Sequence, residues 1–262
     1  MLNFKEEPPS TKALKQYYLD GNYSNCPTDM LDCVAHMILA IENPKETVRI
    51  ALSYMGKHLS VCRADAGFAV PTDSKYTPLS EYCNEKSQPP SVANLMLSNQ
   101  HEVMQRVWRS RVPVKYENVH GNKMLNDVRD TLISIQSKSM LMQRLVWGKD
   151  PIGISCVDHT IKDHVWEDWE AEFMLKFCSD FFAPLAGISN YWHNPTMHQM
   201  FKKPSESELD AIRLAAEGYS YKQIAEKLNK SVRTIENQLR NARHRLNATN
   251  QAELIKKCEP WL

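Results

Sequence analysis

Arginine is concentrated in one short stretch near the carboxyl end of the chain. Residues 231–246 contain four arginines, Arg233, Arg240, Arg243 and Arg245, but only one acidic residue, Glu236. A helix that merely faces solvent mixes acids and bases, so that opposite charges three or four residues apart can pair. Because this stretch lacks the acids for such pairing, its cations are suited to the phosphates of a nucleic acid.

Helical patterns precede and include this basic stretch. Apolar spacing predicts a helix from Glu206 to Ala216, and Gly218 can adopt the left-handed conformation that ends one. Ser220 and Gln223 form a capping-box pattern that starts a second helix. Ser231 can cap a third, basic helix. The buried face of the third helix is expected to be Ile235, Leu239, Ala242 and Leu246.

The net charge of the whole chain hides this basic region. The chain carries a formal charge of +1. Residues 201–262 contain 12 basic and 8 acidic residues, whereas residues 1–200 contain 20 basic and 23 acidic residues. A basic module joined to a slightly acidic body favours nucleic-acid binding at one end and a different task at the other.

The basic region resembles the C-terminal module of LuxR/NarL-type transcription regulators. The resemblance is carried by Pro204-Ser205, Leu214 to Ser220, Lys222 to Ala225, Ser231 to Asn237 and Arg245-Leu246. It implies an all-α, four-helix helix-turn-helix domain over residues 204–262 that binds double-stranded DNA. Three positions depart from the family pattern: Ser207 replaces a usual arginine, Gln238 a common histidine, and Asn229-Lys230 a frequent apolar pair.

The resemblance also implies roles for individual residues. It places Glu236, Asn237 and Arg240 toward base edges in the major groove, where these side chains can pair with cytosine, adenine and guanine. A second set would position the DNA backbone. That set is Lys222, Ser231, Arg233, Thr234, Gln238 and Arg243. For each residue taken singly, a solvated helix surface is the alternative interpretation.

A closing helix is predicted from Asn250 to Cys258, with apolar residues Ala252, Leu254 and Ile255. In similar proteins this helix supplies a dimer contact, so the resemblance implies a homodimer on a two-fold symmetric operator. Recognition helices about 34–36 Å apart would then match half-sites one DNA turn apart. RNA polymerase is a further candidate partner. Helical spacing alone does not establish the dimer.

The preceding two hundred residues predict helices that alternate with strands. A helix over Met30 to Ile41 is followed by a second helix, which Asn43-Pro44 caps and which runs toward Leu59. The predicted strands are Ala66 to Val70, Leu79 to Cys83, and a hairpin of Ser139 to Trp147 with Ile152 to Val157. A helix containing Val103, Met104, Val107 and Trp108 is predicted between them.

The last predicted helix of this body is aromatic. Trp169, Phe173, Phe177 and Phe181 recur every four residues and are expected to pack against the sheet. Pro184 is expected to bend or end the helix.

This order of elements resembles a GAF sensory domain. The residues that carry it are Arg63 to Phe68, Arg111 to Val114, Lys138 to Leu141, Trp147 to Gly153 and Trp166 to Glu170. The resemblance implies an α+β fold, an antiparallel sheet with packed helices, and a small-molecule pocket between them, but it names no ligand. Candidate ligand-binding residues are Phe68, Trp108, Met140, Trp147 and Cys156. Filling of the core is the alternative role for each.

The predicted organisation is therefore a helical extension (1–43), a GAF-like sensor domain (44–189), a linker (190–203) and the helix-turn-helix domain (204–262). Other assignments of the body remain open. An acyl-homoserine-lactone receptor is disfavoured, because the expected Trp-x-x-x-Tyr and Asp-Pro elements are missing before Trp108, the first tryptophan. A receiver domain lacks its paired acids. The body could also serve only to dimerise or to bind a protein partner.

An enzymatic role is not predicted. No HExxH, GxSxG, P-loop or GxGxxG pattern occurs, so no catalytic residue, metal or cofactor is assigned beyond the unidentified small-molecule effector. His159 and His164 are expected in a solvated loop without a metal. Seven scattered cysteines without a CxxC pair predict reduced thiols in the cytoplasm. No signal peptide or membrane span of about 20 apolar residues is expected.

Overall fold

The computed structural model describes residues 9–20, 26–193, 204–246 and 248–262. The chain divides into two compact units, residues 1–193 and 194–262. Residues 190–193, at the start of the predicted linker, are helical, and residues 194–203 of that linker lie outside the described part. No helix among the described residues is long and apolar enough to cross a membrane.

Helices open the first unit. They are α1 (Thr11–Tyr18), α2 (Thr28–Leu39) and α3 (Pro44–His58). The predicted start of α3 is confirmed: Pro44 is its first residue, and the side-chain oxygen of Asn43 accepts a hydrogen bond from Glu46 N at 3.1 Å.

The strands that follow α3 form one main sheet and one small pair. They are β1 (Arg63–Phe68), β2 (Lys75–Tyr76), β3 (Ser80–Cys83), β4 (Leu97–Ser98), β5 (Val114–Tyr116), β6 (Ser139–Trp147) and β7 (Asp150–His159). The antiparallel main sheet has the order β3-β1-β7-β6-β5, and β2 pairs with β4. The predicted β6–β7 hairpin is confirmed. The strand predicted from Ala66 begins earlier, at Arg63.

Helices cover both faces of the main sheet. On one face α3 approaches β3 so closely that a Cβ added at Gly56 would lie 2.2 Å from the Tyr82 ring. The other face carries α4 (Glu102–Arg109), a 3-10 helix (Lys123–Val128) and α5 (Arg129–Ser134). A buried apolar cluster, called the covering core, fills the space between them. Its members include Val107, Trp108, Tyr116, Met140, Met142 and Cys156.

The last helical segment of this unit changes its winding partway along. It consists of α6 (Asp168–Phe177), a π-helical turn (Cys178–Phe182) and α7 (Ala183–His193). Pro184 is the second residue of α7, just beyond that turn, and its missing N–H and its ring are the physical reason for the predicted irregularity. Phe177 and Phe181 are fully buried as expected, but Trp169 is 49% exposed. The expectation that Trp169 packs in the core is wrong.

The second unit is entirely helical. Its helices are α8 (Glu206–Ala216), α9 (Tyr221–Lys227), α10 (Val232–Arg245) and α11 (Gln251–Cys258), followed by a 3-10 turn (Glu259–Trp261). The predicted boundaries are confirmed in detail. Gly218, with φ of 89°, follows the end of α8, and Ser220 with Gln223 forms a capping box at α9. Asn250 caps α11.

Candidate nucleic-acid interface and covering core

Helix α10 has one face in the core of its unit and one face in solvent. Ile235, Leu239, Ala242 and Leu246 are all buried, as predicted. The hydroxyl oxygen of Ser231 accepts a hydrogen bond from Thr234 N at 3.1 Å, which caps the helix. Because the apolar stripe fixes the rotation of α10, the residues between its members must face outward.

The three residues predicted to read bases lie on that outward face. Glu236 and Arg240 are exposed, and Asn237 is partly exposed. Arg240 Nη2 donates to Asn237 Oδ1 at 2.7 Å. A guanidinium has five N–H donors, so this bond orients Arg240 and leaves donors for a base. The arrangement brings together carboxylate, amide and guanidinium groups within two turns of one helix.

Most of the predicted phosphate-positioning residues surround this face. Lys222, Ser231, Arg233 and Thr234 are exposed, and Arg243 is partly exposed. Gln238 differs from them because its Nε2 donates to Ser207 Oγ. Its Oε1 is buried and has no hydrogen-bond partner. The amide nitrogen of Gln238 has two N–H donors, so a second N–H remains for a phosphate oxygen while the bond to Ser207 is kept.

Lys230 has no role predicted from the sequence, where it is only a departure from the family pattern. In the structure Lys230 Nζ donates to Ser207 Oγ at 2.8 Å, beside Gln238. The available signal was its position: a cation directly before Ser231, the residue that caps the basic helix.

The predicted ligand-binding residues occupy different places in the first unit. Trp108, Met140 and Cys156 all belong to the covering core. Trp108 Nε1 donates to Asn99 Oδ1 at 2.9 Å inside it. Phe68 and Trp147 are half-buried and lie outside this cluster. Trp147 instead contacts α7, where a Cβ added at Gly187 would meet its ring at 2.9 Å.

A buried polar group adjoins the covering core. Arg63 pairs with Asp158 and donates to Pro90 O at 2.6 Å, and Ser137 also donates to Asp158. Asp65, on the same strand as Arg63, is buried, with 8% of its surface exposed. Burial raises the pKa of Asp65 to about 7. In the sequence, Arg63 and Asp65 only contribute to the resemblance, because Asp158, the partner of Arg63, is distant along the chain.

His159 is the last residue of β7 and His164 lies in the loop after it, but both side chains are partly buried, so the expectation that they are solvated is wrong. The rings of His159 and His164 lie 4.4 Å apart, and His164 Nε2 is 3.0 Å from the buried carboxylate of Glu170. Burial lowers the pKa of His159 to about 4. Across the described residues, no group of three or more His, Cys, Asp and Glu side chains is arranged to hold a metal ion.

Comparisons with known proteins bear on both units. The family model "Bacterial regulatory proteins, luxR family" matches residues 205–258. The solved structures that resemble the chain include a phycoerythrobilin-bound and a phycocyanobilin-bound GAF domain, each from a cyanobacterial phytochrome. For each the TM-score is 0.51 at 12% identity, with 64% of this chain and 100% of the other covered. No curated protein matched.

At that identity the structural likeness establishes the fold and nothing about a ligand. The family match covers the four-helix unit, including the exposed face of α10. Residues 205–258 are therefore a helix-turn-helix DNA-binding domain of the luxR family of bacterial regulatory proteins, and the first unit of the chain has the GAF fold.

Proposed function

We propose that the chain is a cytoplasmic, ligand-responsive transcription regulator that binds a two-fold symmetric operator as a homodimer. The observation that carries this proposal is the two-sided helix α10. Its apolar stripe lies in the core, while Arg233 and Arg240 face solvent together with Glu236 as the one acid of the helix. RNA polymerase is the proposed protein partner at the promoter.

In this proposal α10 enters the major groove and α9 supports it. Arg240, Asn237 and Glu236 read base edges, with about 1–3 kcal/mol of discrimination for each good pair. Lys222, Ser231, Arg233, Thr234 and Arg243 fix the register on the backbone and carry no sequence information. Gln238 contributes to backbone binding through its hydrogen bond to Ser207.

The dimer is supported by apolar surface on both units. In the first unit Ile161 and Val165 are each 69% exposed, close in the chain to the half-exposed Trp169. Exposed apolar side chains grouped in this way mark interaction surfaces more often than isolated ones do. In the second unit, Leu254 is buried in the core of the domain, while Ala252 is exposed and Ile255 packs only partly against that core, so these two residues of α11 can contact a second copy.

Selection of binding sites by the full chain tests the DNA proposal. Duplexes recovered from a random pool should share two inverted half-sites whose centres are about 10 base pairs apart. Mass photometry of the chain with a recovered duplex should show two copies per duplex. Recovery of a single asymmetric site bound by one copy would contradict the symmetric-dimer proposal and leave DNA binding itself intact.

The ligand is proposed to act on the dimer by population shift. A small molecule that binds one arrangement of the first unit more tightly favours that arrangement and changes the spacing of the two α10 helices. Trp108, Met140 and Cys156 are proposed to contact it from the covering core, and Phe68 and Trp147 are proposed as contacts that lie outside that cluster.

Native mass spectrometry of the chain purified from its own host tests the ligand proposal. A reproducible added mass that is lost on denaturation would support a bound effector. A consistently unliganded protein, whose operator affinity is unchanged by host extract, would favour a first unit that only dimerises or binds a protein partner.

A further inference from the structure

The three departures from the luxR-type pattern meet at one point in the second unit. Ser207 lies in the first turn of α8, Lys230 in the turn before α10, and Gln238 within α10. Ser207 Oγ accepts hydrogen bonds from Lys230 Nζ, at 2.8 Å, and from Gln238 Nε2. These three residues are called the Ser207 cluster.

The Ser207 cluster has hydrogen-bond donors to spare. A hydroxyl offers one donor and two acceptor sites, and both acceptor sites of Ser207 are occupied. No described residue accepts the proton of this hydroxyl, so it can serve another partner. Lys230 uses one of its three N–H donors on Ser207. Within the described part of the chain, no carboxylate lies at salt-bridge distance from Lys230. The cluster therefore offers donors and a positive charge without an acid to neutralise it.

The cluster also lies beside the face that carries the base-reading residues. Lys230 directly precedes Ser231, and Thr234 and Gln238 follow along one flank of α10 at intervals of four residues. Glu236, Asn237 and Arg240 occupy the neighbouring outward row. When a helix lies in the major groove, the sugar-phosphate backbone runs along its flanks.

The acids of the first turn of α8 do not block this position. Glu208 folds back on Ser205 in a capping box. Glu206 Oε2 is directed toward Arg213, at 4.0 Å.

We propose that Lys230 and the Ser207 hydroxyl together bind one phosphate of the duplex, with Gln238 as a positioning residue that holds Ser207. The proposal rests on DNA binding by α10 and adds a contact outside the residues assigned by sequence. The lysine provides at position 230 a cation that the family pattern usually has at position 207. Both groups donate to phosphate oxygens, and neither contacts a base, so the contact is independent of sequence.

The salt dependence of DNA binding tests this directly. Fluorescence anisotropy of a labelled mixed-sequence duplex with the full chain gives the slope of log affinity against log salt concentration. Each neutralised phosphate contributes a slope of about 0.9. Lys230→Ala and Lys230→Gln should each reduce the slope by about 0.9 per binding copy of the chain. Lys230→Gln retains a side-chain donor to Ser207 while removing the charge, so it separates charge from local packing.

Lys227→Ala is the matched control. Lys227 is a lysine of α9, three residues away in sequence, and its Nζ lies 4.3 Å from the centre of the Tyr219 ring. Its removal costs the same formal charge and should leave the slope unchanged. Circular dichroism melting of each variant establishes that the second unit is folded.

The failure of this proposal is distinguishable from failure of the proposed function. A wild-type slope in both Lys230 variants, while the wild-type chain binds duplex, would overturn the phosphate contact. Ser207→Ala keeps the lysine charge and should weaken binding to all sequences equally with little change in slope. Unchanged affinity in Ser207→Ala would overturn the role of the hydroxyl. Absence of duplex binding by the wild-type chain would refute DNA binding itself.

Discussion

Replacement of Arg240 by alanine should relax the preference for one base pair of the operator. Arg240 is exposed on α10, and its contact in the free chain is a 2.7 Å hydrogen bond to Asn237 Oδ1. This bond uses one of the five guanidinium donors and leaves four, two of which can pair with O6 and N7 of a guanine. The bidentate pair can therefore form while Asn237 continues to orient the side chain.

The expected magnitude follows from that single pair. A good bidentate contact gives about 1–3 kcal/mol of discrimination. At 1.4 kcal/mol per factor of ten, this is about a 5- to 150-fold preference at one position of each half-site. Arg240→Ala should abolish this preference and leave the preferences at other positions intact.

Competition binding against operators substituted at each position in turn measures the effect. Arg213→Ala is the control, because Arg213 also carries one positive charge but is held by Asp210 at 2.9 Å. Its removal should not change the preference at any position. If Arg240→Ala weakened binding to every operator variant by the same factor, Arg240 would be a backbone contact and its assignment to a base would be refuted.

Three further substitutions test the fold that supports the interface. Gly218→Ala should cost about 1–3 kcal/mol of the unfolding free energy of the second unit, measured by urea denaturation, because φ at that position is 89°. Gly187→Ala should destabilise the first unit by about 1–3 kcal/mol and alter its near-ultraviolet circular dichroism, because the new Cβ would meet the Trp147 ring at 2.9 Å. Asp65→Asn should remove a pH dependence of stability. Since burial raises the pKa of Asp65 to about 7 from 3.8, the folded state binds the proton more tightly, and stability falls as pH rises from about 4 to about 7. The loss amounts to about 4 kcal/mol at 1.36 kcal/mol per pH unit, and thermal unfolding across that range would measure it.

Each of these substitutions has a matched control. The control for Gly218→Ala is Glu217→Ala, because Glu217 is its neighbour and has ordinary helical geometry. The control for Gly187→Ala is Gly121→Ala, where the added Cβ would lie near a side chain only. Asp127→Asn removes a carboxylate whose side chain is 89% exposed. If Gly218→Ala were as stable as Glu217→Ala, the predicted backbone strain at Gly218 would be contradicted. If Gly187→Ala were as stable as Gly121→Ala, the predicted clash with the Trp147 ring would be contradicted. Equal pH profiles for Asp65→Asn and the wild-type chain would show that Asp65 ionises freely in the fold.

Local signals in the sequence predicted the elements well. Asn43, Ser220 and Ser231 cap helices because their side-chain oxygens accept from backbone N–H groups three residues later, and this chemistry needs no tertiary contact. Gly218 likewise follows the end of α8 in a conformation that most residues avoid. The outward position of Arg240 followed from the apolar stripe on the opposite face of α10.

The error at Trp169 has a geometric cause. Aromatic residues every four positions drift around a helix of 3.6 residues per turn, by about 40° at each step. Trp169 and Phe177, both within the regular helix α6, are therefore about 80° apart, so they face different sides of that helix, and Phe177 is fully buried. Phe181 is fully buried and Trp169 is half exposed. A helical wheel, rather than the spacing alone, would have separated them.

The contacts that sequence reasoning missed join residues far apart in the chain. Arg63 meets Asp158 across the sheet, and Ser207 meets Lys230 and Gln238 from three different segments. A single sequence carries no local signal for such pairs, because each depends on how the elements pack.

Binding of duplex DNA at low ionic strength tests the central claim most directly. The full chain and an Arg233→Ala, Arg240→Ala double variant would be titrated into the same labelled duplex while the salt concentration is increased. Because the arginines on α10 are exposed, we expect the wild-type chain to bind the duplex measurably and its affinity to fall steeply as salt increases. In the double variant, both the affinity at low salt and its salt dependence should be clearly smaller. Equal binding by the two proteins, or no binding by either at low salt, would contradict the assignment of α10 to the DNA groove.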